Sequence, residues 1–182
     1  MKRVFIAFFL SSFLLACGDS KPKADNTMVK DAADVKPPQS EIADAKFTDM
    51  GKQMMQKFES GDMDAWVNMF ADNAVYAWSG GDSVSGKQAI ADYWKNRRNN
   101  VIETIHFSND IWLPLKVNEP QKGPDMAGIW LLSWYQVNVK YKAAAKPIGF
   151  WIHTDYHFDA NDKIDRAVQY IDMAPIKAAI GK

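Results

Sequence analysis

At about residue 101 the apolar pattern of this chain changes period, and that change constrains the fold more than any other feature. Before it, large apolar residues recur every three or four positions; after it, they alternate. A chain that is helical first and then a run of adjacent strands is expected to be α+β, with helices packed on one face of an antiparallel sheet. Phe47, Met50, Met54 and Phe58 share one face of a first helix, which Gly61 stops. Asp62 is a candidate N-cap for a short second helix that buries Met63, Trp66, Met69 and Phe70. Ala74–Trp78 reads as a strand halted by Ser79-Gly80-Gly81-Asp82. Ser85-Gly86-Lys87-Gln88 has the spacing of a capping box and opens a third helix with Ile90, Tyr93, Trp94 and Arg97; the pair Arg97-Arg98 reads as a solvated helix face. Strands follow at Ile102–Leu115, Met126–Tyr141, Ile148–Phe158 and Ile164–Met173, and Pro175–Ile180 adds a last helical turn. Residues 43–182 are about 140 in number, the size of one ordinary domain, and contain all seven tryptophans.

The residues before this domain have a different character. Lys2 and Arg3 precede an apolar run, Val4–Ala16, that ends at Cys17. The run is roughly 13 residues long, right for a secretory signal and short of the ~20 that a spanning helix needs. Leu14-Leu15-Ala16-Cys17-Gly18 resembles a bacterial lipobox, and Cys17 is the only cysteine. That resemblance implies cleavage after Ala16, a diacylglyceryl thioether on Cys17 and a further fatty acyl chain such as palmitate on its amino group. Several acyl chains hold a protein on a bilayer where one does so marginally. Gly18, not aspartate, follows the cysteine, which by the same resemblance favours the outer membrane, facing the periplasm. Residues 17–42 are rich in Lys, Asp, Ala and Pro, lack aromatics, and read as the lipidated cysteine followed by a disordered tether.

Charge excludes one class of partner. The chain has 22 basic and 22 acidic residues; without the two basic residues of the signal, 20 remain against 22, a net charge of −2. No basic cluster offers the phosphate contacts of a nucleic-acid binder.

Three segments in order carry a family resemblance. Gly61-Asp62-Met63-Asp64-Ala65-Trp66 with Met69-Phe70-Ala71-Asp72-Asn73-Ala74-Val75 resembles the short helix and F-A-D-D-A-V strand of SnoaL-like proteins. Gly86-Lys87-Gln88-Ala89-Ile90 with Tyr93-Trp94 resembles their third helix, and Phe158-Asp159-Ala160-Asn161-Asp162-Lys163-Ile164 their closing turn, with Asp162 where glycine is usual. These proteins form part of the nuclear transport factor 2-like superfamily. The resemblance implies a cone: a strongly curved antiparallel sheet wrapped around the N-terminal helices, with a deep apolar pocket. It also implies a homodimer formed through the outer sheet face.

The superfamily includes isomerases, cyclases, dehydratases and hydrolases, so fold does not give function. The resemblance places the steroid isomerases' general base at Trp78, and their oxyanion donors at Met54 and Thr154. An indole cannot act as a base near neutral pH, a thioether donates nothing, and a hydroxyl is only a neutral donor. Isomerase chemistry is therefore not expected. Alternation along Phe150–Phe158 gives one face with Phe150, Ile152, Thr154, Tyr156 and Phe158, and another with Trp151, His153, Asp155 and His157. The family register turns the first set into the cone. His153 and His157 lie about 13 Å apart on an extended strand, too far to share one ion, so no metal and no cofactor is expected. The strand aromatics Tyr76, Trp78, Trp112, Trp130, Trp134 and Tyr156, with Thr154 as polar anchor, are expected either to fill the core or to line a pocket for a small apolar or aromatic ligand. The expected function is a non-catalytic binding or assembly domain. The alternative is a hydrolase, dehydratase or cyclase that uses His153 and Asp155 as an acid–base pair.

Overall fold

The computed structural model describes residues 36–120 and 126–181. The signal segment, Cys17 and most of the tether lie outside the described residues. Among those described, no helix is long and apolar enough to cross a membrane.

Helix α1 (Lys46–Ser60) buries Phe47, Gly51, Met54 and Phe58. It ends at Gly61, whose φ of 84° only glycine adopts freely. The Arg98 side chain closes the same terminus, donating to the carbonyls of Phe58 and Glu59 at 3.0 and 2.9 Å. Helix α2 (Met63–Val67) starts where the Asp62 carboxylate accepts from the Ala65 amide at 3.1 Å, as its sequence predicts. The expected capping box at α3 (Lys87–Asn96) does not form. Ser85 belongs to a short strand, β3 (Ser83–Ser85), paired with β2 (Phe70–Trp78), and Gln88 donates to Asp92 instead. A π-helical turn, Arg97–Val101, leads from α3 into the sheet.

The long strands are β4 (Ile102–Val117), β5 (Gly128–Tyr141), β6 (Ile148–Phe158) and β7 (Ile164–Ile171), followed by α4 (Ala174–Ile180). Ser40–Ile42, read from the sequence as the end of the tether, forms an edge strand, β1, paired with β4. The seven strands run in the order β1-β4-β5-β6-β7-β2-β3 in one curved, unclosed sheet. Every pairing is antiparallel except β2 with β7. Part of the curvature has a local cause. Asn109 has φ 52° at a bulge between Ser108 and Ile111, and such bulges bend a strand. In the β6–β7 turn Asp162 takes φ 57°, the left-handed conformation that glycine usually supplies there.

Because α1 covers only part of the inner sheet face, β5 is divided along its length. Leu131 lies beneath α1 at Gly51, whereas Tyr135, Val137 and Val139 face an open interior.

Candidate binding cavity

That interior is a cavity of about 650 Å3, within the range of small-molecule sites. One side is aromatic. Phe58, Trp66, Tyr76, Trp78, Tyr93 and Trp94 meet in a chain of edge and tilted contacts with centroids 5.0–6.3 Å apart. The opposite side is the inner face of β4–β7, including Ile105, Val137, Val139 and Ile152.

Two groups of its polar side chains stand out. At the base are Tyr135, Tyr156 and Gln169. The Tyr135 hydroxyl bonds the Thr154 hydroxyl at 2.9 Å, and the Trp78 indole donates to the side-chain amide oxygen, Oε1, of Gln169 at 3.1 Å. Burial holds Tyr76 and Tyr156 well above the usual phenol range and raises Tyr135 as well, so all three stay neutral. Neutral buried phenols donate hydrogen bonds to a ligand; they do not take its protons. Towards the rim stand Arg97 and the exposed Asp82 and Asp172. No histidine lines the cavity.

The sequence profile of the SnoaL-like domain matches residues 52–167, from within α1 through α2, β2, α3 and β4–β6 to the first half of β7. The chain belongs to the SnoaL-like domain family. Solved structures share its fold at low identity. A Bacillus subtilis protein provisionally named an isomerase is 18% identical with a TM-score of 0.58, over 74% of this chain and 91% of that one. A Pseudomonas putida KT2440 protein provisionally named a polyketide cyclase gives 14% and 0.57, over 72% and 96%. An epoxide hydrolase of M. tuberculosis gives 13% and 0.50, over 71% and 85%. No relative by sequence appears among curated proteins.

Within this SnoaL-like domain the residues singled out from sequence separate. Tyr76, Trp78 and Tyr156 line the cavity, and so does Met54. Thr154 is fully buried one layer beneath it, bonded to Tyr135, so it supports the base and does not touch the space. Three tryptophans are not wall residues. Trp112 is on the inner face but wedged under α1, its ring 2.5 Å from where a Gly51 Cβ would stand. Trp130 and Trp134 occupy the opposite parity of β5 and face outward, against His157 and His153, at 5.0 and 4.4 Å between ring centroids. Alternation could not settle β5 near Trp130 because both its faces are apolar there. Further along, Tyr135, Val137, Val139 and Tyr141 alternate with Gln136, Asn138 and Lys140, a signal that marks the wall residues which the sequence reading missed. Arg97 and Gln169 carried no such signal.

His153 and Asp155 lie on the outer face, away from the cavity. His153 Nε2 is 2.9 Å from Asp155 Oδ1, but the alignment falls outside hydrogen-bond range and that buried oxygen has no hydrogen-bond partner. His153 Nδ1 is 2.9 Å from the Ser133 carbonyl. His157 is occupied at both ring nitrogens, by Asp165 at 2.6 Å and the Ala127 carbonyl at 3.0 Å. Among the described residues no group of three or more His, Cys, Asp and Glu side chains could hold a metal.

Burial raises the Asp155 carboxyl above its ordinary value of 3.8, with the nearby His153 opposing. A raised carboxyl favours the folded chain when protonated. Its contribution is present below the ordinary value and is lost as pH rises through the raised one. Asp155→Asn is therefore expected to stabilise the domain near pH 7 and to change little near pH 3, as measured by urea unfolding at each pH. An equal change at both would assign the effect to packing.

Proposed function

We propose that this SnoaL-like domain binds a small aromatic or apolar molecule without transforming it, and does so at a membrane surface to which Cys17 is lipid-linked. The observation that carries the binding half is the cavity: about 650 Å3, walled by aromatic rings, with neutral donors at its base. Among the described residues the only lining carboxylates, Asp82 and Asp172, are exposed at the rim, and His153 and Asp155 sit on the other side of the sheet. That arrangement weighs against the hydrolase, dehydratase or cyclase alternative, because an acid–base pair must reach the substrate. Titration with the neutral probe N-phenyl-1-naphthylamine tests the reading. Saturable binding of one probe per chain, with a Kd of about 10 µM and quenching of tryptophan emission, is expected. Emission that rises without saturation would refute it.

The anchoring half rests on the lipobox-like Leu14-Leu15-Ala16-Cys17-Gly18 and favours the periplasmic face of the outer membrane. Wild-type protein is expected to incorporate a fatty-acid probe and to pellet with membranes; Cys17→Ser should do neither. Labelling that survives Cys17→Ser sinks the claim.

The domain is also expected to pair with a second copy through its outer sheet face. Ile111, Trp134, His153 and Tyr170 form one row across four neighbouring strands, with Trp151 alongside. Ile111, Trp151 and Tyr170 are 56%, 50% and 43% exposed, a concentration of apolar surface that a free monomer rarely shows. Sedimentation of the domain at roughly 20 µM should give a dimer, and Trp151→Asp a monomer. A wild-type monomer would overturn this.

A further inference from the structure

Among the described residues Arg97 is the one cationic side chain on the cavity wall. It stands where α3 passes into the π-helical turn, a distortion that often accompanies a functional position. It is partly buried, and no carboxylate among the described residues pairs with it. Its guanidinium carbon is 5.9 Å from the centre of the Tyr141 ring, another wall residue. Its charge also reaches Tyr76, where it works against the upward push of burial. Arg98, one residue on, differs in both respects: it is spent on the end of α1.

The acids of the site do not serve as its counter-ions. Asp82 and Asp172 are exposed at the rim, and one oxygen of Asp172 accepts from the Ala174 amide at 2.9 Å. Among the described residues the cavity wall thus carries one cation, near the rim, several neutral donors deeper in, and no carboxylate other than the exposed Asp82 and Asp172. The neighbour of Arg97, Tyr141, offers only a neutral hydroxyl and a ring face, so the partly withdrawn charge has no counter-ion, and a bound anion would supply one. The planar guanidinium matches a carboxylate through two parallel hydrogen bonds.

We propose that the ligand is an aromatic or apolar carboxylic acid, its carboxylate paired with Arg97 and its body against Trp78, Trp94 and Tyr156. This rests on the binding reading above and names the ligand class for the same cavity. The experiment compares 2-naphthoate with 2-naphthalenemethanol, which share a ring system and differ in charge, by tryptophan quenching on the folded domain. Naphthoate is expected to bind about tenfold more tightly than the alcohol. Arg97→Gln should bring the ratio of the two affinities close to one, while Arg97→Lys keeps a preference for the acid. Equal affinities in the wild type, or a preference that survives Arg97→Gln, overturn the carboxylate and leave the N-phenyl-1-naphthylamine result standing. Failure of both naphthalene compounds and of that neutral probe overturns the cavity reading with it. Should Arg97→Gln not fold, salt decides: high salt should shrink the wild-type preference, and a preference indifferent to salt rejects an ion pair.

Discussion

Gly51→Val is expected to destabilise the domain by about 3 kcal/mol, the largest single effect foreseen on stability. Gly51 lies in α1 with its Cα turned to the sheet. A Cβ there would stand 2.5 Å from the Trp112 ring and 2.7 Å from the Leu131 side chain, distances that real Cβ atoms do not show. Trp112 is half-buried against α1 and Leu131 is fully buried, so at least Leu131 cannot yield cheaply. Valine adds two methyls beyond that Cβ and the lower helix propensity of a β-branched residue. Even Gly51→Ala, which would gain about 1 kcal/mol of propensity in a free helix, is expected to lose stability. The measurement is urea unfolding, with Gly80→Ala as a control, since a Cβ at Gly80 meets nothing within 4 Å. A Gly51→Val domain within 1 kcal/mol of wild type, on the scale of ordinary surface substitutions, would mean that α1 is not seated this closely.

The second large effect concerns the cavity. Val137 and Ile152 project into it from adjacent strands, each two residues along from the other's partner. Replacing both by tryptophan puts two indoles where a ligand ring would lie. An aromatic body buries on the order of 150 Å2, worth about 4 kcal/mol at ~25 cal/mol/Å2, and losing most of that contact is expected to weaken N-phenyl-1-naphthylamine about a hundredfold. The domain should still unfold cooperatively, because the added rings enter open space and not close-packed core. This variant also separates two surfaces. Ile111, Trp151 and Tyr170 make the outer face a rival site for a greasy probe. Unchanged affinity in the double variant would move the probe there and remove the main support for a cavity ligand.

The particular residues show how far local pattern carries. Phe47, Met54 and Phe58 are buried on α1, Gly61 and Asp62 end and begin helices as read, and β6 spans Ile148–Phe158 with its expected alternation. These are consequences of short-range chemistry: a 3.6-residue period, a left-handed glycine, a carboxylate reaching an amide three residues on, and a two-residue period. The same logic failed at Ser85, where the capping-box spacing is present but the residue is already paired with Val75 in the sheet. A pairing distant in sequence overrode a local preference.

The sequence by itself determined the helices-then-strands order, the SnoaL-like family through its three ordered segments, and the inward parity of Tyr156. What only the tertiary structure decided is which inward residues meet empty space. Trp112 and Tyr135 share the inner face, yet one is covered by α1 and the other borders the cavity, because the helix is shorter than the sheet it covers. Trp130 and Trp134 face away because β5 is apolar on both sides there, and only the pairing with β4 and β6 fixes which side is inner. Arg97 and Arg98 are adjacent and alike in sequence. The turn of the chain after α3 sends one to the end of α1 and the other to the cavity wall, a difference set by contacts with residues some 40 positions away, which no local period encodes.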